Sequence, residues 1–353
     1  MDGFLGVEPV AYRRVAGDYP SGTSQSPPAS RSMEAMDGES SQSSSDRRAV
    51  GAGLVAVAVW ASAFVGIRYA GRELSPGPLA LARLLIGSAA LGVPMLIRRE
   101  PMVRRAGLLG ALICGVLWFG AYNVALNAAE RRVDAGVASL LVNVGPLFIA
   151  ILAGTVLKEG IGRLLLAGCA VSFAGVALIA IGTSRHGVNA GAGTALCVIA
   201  AAVYAGGVVA QKPTLRHGSP LAVTWLACTI GAVCCLPYAG SLVRELGHAH
   251  SAAIAWTVYL GLAPTAIGFS AWAYALARTD AGRLGPITYL VPPIAVLLGW
   301  LFLGEVPPLL ALPGGILCLA GVGLARRQPG RRRNVGPPAP PVAAVAAESQ
   351  PVG

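Results

Sequence analysis

Residues 134–159 read DAGVASLLVNVGPLFIAILAGTVLKE, and residues 280–305 read DAGRLGPITYLVPPIAVLLGWLFLGE. A constant shift of 146 residues lays Asp134-Ala135-Gly136 over Asp280-Ala281-Gly282, Pro146 over Pro292 and Glu159 over Glu305. The same shift places Gly168 over Gly314 and Gly175 over Gly321. Upstream the match is looser. Ala125-Leu126 lies over Ala275-Leu276, and a shift of 144 lays Trp60 over Tyr204, Arg68 over Lys212 and Ser75-Pro76 over Ser219-Pro220. Small apolar residues coincide by chance in so biased a chain. Asp, Pro and Glu in one register do not, so the sequence reads as two copies of one unit.

The surrounding composition says where such a unit lives. Of 353 residues, 55% are hydrophobic and 12% are charged, and mean hydropathy is +0.65. A soluble protein is about 25% charged. This composition excludes an ordinary soluble enzyme, a disordered protein and a disulfide-stapled secreted domain. The seven cysteines all lie in apolar stretches without metal-type CxxC spacing, and read as small packing residues. His186, His217, His248 and His250 fall in polar connectors, so no metal site and no catalytic histidine is expected.

A spanning helix needs about 20 apolar residues. Ten segments qualify: Ala49–Tyr69, Leu74–Ile97, Ala106–Ala128, Ala135–Leu157 and Ile161–Gly182, then Gly193–Gln211, Pro220–Leu242, Ser251–Ala277, Leu284–Leu303 and Pro307–Ala325. Runs this long without strict alternation are helical, since lipid offers the backbone no other partner. The expected fold is an all-α polytopic membrane protein of ten transmembrane helices. Residues 1–48 are polar and Ser/Pro-rich, and read as a disordered cytoplasmic tail with no signal-peptide h-region. Met33 and Met36 are alternative starts of the native chain. Residues 326–353 read as a disordered basic tail.

The net charge of +11 raises the question of nucleic acid, but its placement answers otherwise. With a cytoplasmic N-terminus, eighteen Lys/Arg fall in inside segments and six outside, the six being Arg68, Arg72, Arg131, Arg132, Arg185 and Arg244. That is the positive-inside asymmetry. Ten spans also return both termini to the cytoplasm, as expected for a cell-membrane protein.

The duplication divides these spans into units of five, over residues 49–182 and 193–325. An odd number of spans inverts the second copy, giving the inverted repeats common in secondary transporters. Over about residues 49–325 the chain resembles the EamA-type permeases of the drug/metabolite transporter superfamily. The resemblance rests on Trp60-Ala61-Ser62-Ala63-Phe64, Ala82-Arg83-Leu84 and the paired segments from Pro146 to Leu157-Lys158-Glu159 and from Pro292-Pro293 to Leu303-Gly304-Glu305. It implies a central cavity and export of small metabolites. Lys158 stands where the family commonly has Gly.

Pro146 and Pro292 interrupt the fourth and ninth spans. They are either plain kinks or the border of a substrate cavity. Asn143 and Tyr289, three residues before each, could add polar contacts. Arg83 is the charge set well inside a span; it either snorkels or bonds carbonyls, or attracts a carboxylate or phosphate substrate. Asn123 and Tyr204 are the deeper polar candidates among Trp60, Tyr122, Gln211, Trp225, Thr265, Trp272 and Tyr274, the tryptophans and tyrosines suiting interface anchors. Asp134, Glu159, Asp280 and Glu305 stand at helix junctions, where acids cap a helix or pair with Arg. Glycines at seven-residue intervals suit close helix packing.

A secondary transporter is the function expected. No phosphate-binding loop appears, so ATP does not drive transport within this chain. A polytopic enzyme or a channel is the alternative, but no HExxH, GxSxG or intramembrane histidine favours an enzyme. The partners expected are a small-molecule substrate and the lipid bilayer, with no nucleic acid and no cofactor; a homodimer is one assembly open to such a chain. The substrates that suit an apolar cavity with few polar groups are amino acids or amphiphilic compounds.

Overall fold

The computed structural model describes residues 29–156, 163–184, 188–278 and 285–326. Glu159 and Asp280 lie outside the described residues, as do 1–28 and 327–353 of the two expected tails. Every regular element described is helical. The chain divides into Met1–Ser45 and Asp46–Gly353. Helical backbone begins at Ala29, upstream of the expected Ala49 boundary.

In the larger unit, α1 is the apolar run Arg48–Ala70, α2 is Pro76–Ile97 and α3 is Arg105–Glu130. Then come α4 (Ala135–Val142), α5 (Gly145–Val156), α6 (Arg163–Ser184) and α7 (Val188–Thr214). The series closes with α8 (Pro220–Cys234), α9 (Ala239–Leu246), α10 (Ser251–Arg278), α11 (Val291–Leu303) and α12 (Ala311–Arg326). Among the described residues, five helices are long and apolar enough to cross a membrane: α1, α2, α3, the Gly191–Thr214 part of α7, and α10. The run from α8 through Leu246 qualifies as a sixth, bent by 49°. Ala135–Ile149, Leu166–Ile179, Ile287–Leu303 and Ala311–Leu324 are shorter apolar helices.

The starts of α2 and α8 follow from their sequence. Ser75 and Ser219 are extended, at ψ 160° and 154°, and Pro76 and Pro220 take the first helical position. Proline lacks an N–H that would be orphaned there anyway. Ser219 Oγ also accepts from the Ala222 N–H at 3.2 Å.

The regular helix fails in matched places. α3 widens to a π-helix over Gly115–Ala121, and α10 does so over Gly261–Gly268. Gly115 and Gly261 are 146 residues apart. The fourth expected span breaks between α4 and α5 around Asn143. The ninth passes from a 3₁₀ turn, Gly285–Leu290, into α11. Pro146 and Pro292 are therefore not mid-helix kinks. Each stands in the first turn of a helix that restarts, where proline is tolerated.

Burial is reversed relative to a soluble protein. Leu96, Leu109, Leu301 and Ile316 are more than 60% exposed, whereas Arg83, Asn123, Asn127, Glu130, Gln211 and Thr265 are buried. An apolar exterior of this extent calls for lipid.

Candidate substrate cavity

A cavity of about 160 Å³ lies among α1, α2, α3, α4, α5, α7, α10 and the start of α11. Aromatic rings form much of its wall. Trp60 stands 5.3 Å from Trp272 and 5.4 Å from Phe269, centroid to centroid. Trp118 is 4.9 Å from Phe269 and 5.8 Å from Tyr204, which lies 5.9 Å from Tyr122. Such offset and edge contacts hold large rings rigidly.

The π segment of α10 supplies the polar fixtures. A π-turn displaces carbonyls from their usual i−4 partners. Trp60 Nε1 donates to the Pro264 carbonyl at 3.2 Å. Thr265 Oγ1 donates to the Leu260 carbonyl at 2.7 Å and accepts from both Nε and Nη2 of Arg83 at 3.2 Å. The guanidinium is thus held by a neutral hydroxyl and keeps its positive charge at the cavity wall.

Of the residues singled out by sequence, Arg83, Asn143, Pro146 and Tyr204 line this one cavity. Asn143 Nδ2 donates to the Thr288 carbonyl at 3.1 Å, tying the α4–α5 break to the 3₁₀ turn before α11. Its Oδ1 has no protein donor among the described residues. Tyr289 and Pro292 are not wall residues; their neighbours Thr288 and Val291 are. Asn123 is not one either. Its Nδ2 donates to the Phe119 carbonyl at 2.7 Å, filling a backbone acceptor in the π segment of α3. Gly145 lies against the Tyr204 ring, and any side chain there would collide with it.

Several wall residues were not read as such from sequence. Trp60 and Trp272 suit interface anchors by sequence, and no sequence pattern marks Trp118 or Phe269. The pairing of Gly115 with Gly261 is the signal that could have marked both π segments.

At the end of the molecule where α1 finishes, a polar cluster follows the cavity-lining Ile67 and Leu126. Arg68 Nε donates to Glu305 Oε1 at 2.6 Å, and Arg68 Nη1 to the Glu130 carbonyl at 2.5 Å. Glu305 Oε2 accepts the Ala135 N–H at 2.8 Å, in the first turn of α4. Glu305 therefore both caps a helix and pairs with an arginine. Gly304 makes this return, at φ 66°, a left-handed conformation glycine adopts without strain. Asp134 occupies the N-cap position of the same helix, with extended backbone. Two further acids sit at helix starts on this end. Glu245 takes the Ser75 N–H at 2.8 Å, and Glu73 takes the His250 N–H at 2.6 Å. The His250 backbone donor, aided by its ring, holds the Glu73 carboxyl below its usual value.

The model of the EamA-like transporter family matches residues 47–181 and again 191–327. A protein of Streptantibioticus cattleyicolor described as "Probable terminal-alkyne amino-acid exporter" is 41% identical over 298 residues, 82% of this chain and 98% of that one. A Bacillus subtilis protein described as an uncharacterized transporter is 34% identical, covering 75% and 87%. A "Probable amino-acid metabolite efflux pump" of Salmonella typhimurium is 28% identical, covering 76% and 91%. One solved crystal structure, 19% identical, superposes with a TM-score of 0.55 over 78% of this chain and 96% of its own, a likeness of fold alone.

Proposed function

Because this chain belongs to the EamA-like transporter family, we propose that it exports amino acids, including those with a terminal alkyne, by alternating access. It is an integral membrane protein and a small-metabolite exporter. The observation that carries the substrate class is Arg83, a full positive charge held at the wall of an aromatic box by Thr265. A substrate carboxylate would face Arg83. The substrate ammonium would rest against ring faces and the free Oδ1 of Asn143. The cavity volume, about 160 Å³, is below the roughly 300–1,000 Å³ of drug-sized pockets. It favours an amino acid over a larger amphiphile.

Ten spans in two inverted five-helix repeats are the architecture we assign. Five membrane-length helices, one bent run and four shorter apolar helices support it, as do two family matches over 47–181 and 191–327. The two π segments and two broken spans support it too, since each pair sits 146 residues apart or nearly so. Both termini are cytoplasmic in this reading, supported by the excess of Lys/Arg on that side. The Arg68–Glu305 end then faces outward. Each chain encloses its own cavity, so a homodimer would hold two.

Counterflow in proteoliposomes tests the proposal, with labelled neutral amino acids and propargylglycine as probes. Wild type should exchange them, and Arg83→Ala should lose those with a free carboxylate. Normal exchange by Arg83→Ala would remove the arginine from the site.

A further inference from the structure

Glu130 is the acid that the cavity and the closed end leave unexplained. It ends α3 and is 1% exposed. Neither carboxylate oxygen has a hydrogen-bond donor among the described residues. The arginine beside it is committed elsewhere: Arg68 gives Nε to Glu305 and Nη1 to the Glu130 backbone carbonyl, not to its side chain. The other charged groups that bear on it are Arg83 from α2 and Glu305 after α11; the titratable Tyr122 of its own helix and Cys197 of α7 lie within its electrostatic reach. Asp134 stands one turn further along the chain, at the start of α4.

Three physical terms disfavour an anion here. Burial strips the carboxylate of water, and removing its hydration costs far more than hydrogen-bond-poor surroundings return. The C-terminal end of α3 presents the negative pole of the helix dipole. Glu305 adds like charge and offsets part of the attraction of Arg68, its own ion-pair partner. Arg83, which also attracts the carboxylate, is bound to Thr265 and faces the cavity. A neutral carboxylic acid meets this site at much lower cost.

We infer that Glu130 is a proton-binding site, and that a proton on it is the condition for closing the Arg68–Glu305 end. The inference rests on the exporter reading and adds its driving force. When that end opens, water reaches Glu130 and it ionises; to close again, it must take one proton from that side. Leu126, one turn back on α3, and Ile67, beside Arg68, both line the cavity. Glu130 is therefore one helical turn from a cavity-lining residue and bonded through its carbonyl to Arg68. When the cavity opens to the cytoplasm, the proton can leave there. The ionised acid then destabilises the outer closure, which favours the outward step. Per cycle one proton enters as one substrate leaves.

The test uses the full chain in proteoliposomes with propargylglycine as probe, and two separate readouts. Equilibrium counterflow without a pH gradient reports transport alone. Uptake driven by an imposed pH gradient reports coupling. Wild type should respond to the gradient. Glu130→Gln should keep counterflow, become indifferent to pH and lose the gradient-driven part. Glu130→Asp should fold as wild type and retain driven transport with a displaced pH profile, which guards against a folding artefact in Glu130→Gln. Infrared difference spectra need no substrate: at neutral pH, wild type should show the carbonyl band of a protonated, buried carboxylic acid that Glu130→Gln lacks. Gradient-driven uptake by Glu130→Gln equal to wild type overturns the inference. So does wild-type uptake that ignores the imposed gradient, or an infrared band unchanged by the substitution. Absent counterflow in wild type with the band lost in Glu130→Gln would fault the substrate reading and leave the proton site standing.

Discussion

Ser172 and Cys318 bond each other reciprocally across the α6–α12 interface. Ser172 Oγ donates to the Cys318 carbonyl at 3.1 Å, and Cys318 Sγ to the Ser172 carbonyl at 3.4 Å. They are 146 residues apart, the same shift that superposes the two halves of the sequence. Equivalent residues meet like this where a two-fold axis passes between them. The glycines obey the same exchange. A Cβ on Gly175 would strike the Gly314 carbonyl and Cys318, and one on Gly321 would strike the Gly168 carbonyl and Ser172.

The symmetric contact yields a paired prediction. Gly175→Val and Gly321→Val should each destabilise the protein by about 1–3 kcal/mol, the usual cost of overpacking. The two losses should be alike, because Gly175 and Gly321 are equivalent and face equivalent partners, Gly314 with Cys318 and Gly168 with Ser172. Thermal unfolding in detergent measures both. A large loss in one and none in the other would break the equivalence.

Where α1 finishes, Arg68 and Glu305 form a partly shielded ion pair, with side chains 28% and 12% exposed. A double-mutant cycle with Arg68→Ala and Glu305→Ala should give a coupling of about 1–3 kcal/mol, the range for hydrogen bonds to charged groups. Glu305→Gln can still accept the Ala135 N–H, so it should cost less than Glu305→Ala. Denaturation midpoints of the four proteins decide this.

Thr265 touches Arg83 but is not itself a wall residue of the cavity. Thr265→Val removes the oxygen that accepts from Arg83 while keeping the side-chain shape. The half-saturating concentration for amino acids in counterflow should rise about tenfold, equivalent to about 1.4 kcal/mol of binding. Maximal exchange should change much less. An unaltered concentration dependence would show that Arg83 needs no such support.

Glu73 offers a pH prediction outside the spans. Its folded-state pKa lies below the ordinary 4.5, first through the His250 backbone N–H and then through the His250 ring. A depressed acid stabilises the fold at pH above its unfolded value. That contribution is lost as pH falls through the folded value, so it disappears on the acid side of 4.5. Glu73→Gln should lower stability at neutral pH and flatten the profile in that acid window, so that the difference from wild type vanishes as pH falls. A wild-type profile equally flat there would refute the link.

Much of the fold was legible because lipid leaves the backbone few options. Apolar runs of about 20 residues become helices in it, and Ala49–Tyr69 or Ser251–Ala277 required no further knowledge. Pro146 and Pro292 correctly marked interruptions, though not their form. Proline forbids a regular interior turn but does not say whether a helix bends or stops. Glu130 escaped because the third span was ended at Ala128, two residues short. An acid at a span boundary looks solvated until a neighbouring helix is seen to cover it. Asn123 erred in the opposite direction. A polar residue deep in a span must find a partner, and here that partner is the backbone of its own π segment.

The sequence by itself determined the apolar helices and their duplication in one register. These follow from composition and period, which are local properties of the chain. Only the tertiary structure decided that Arg83 leans on Thr265, that Trp60, Trp118 and Phe269 make one wall, and that Arg68 serves Glu305 while Glu130 goes without. Those facts join residues up to 237 positions apart, and depend on which helix faces lie against one another. Packing, not periodicity, chooses which buried acid is paired and which is left without a donor.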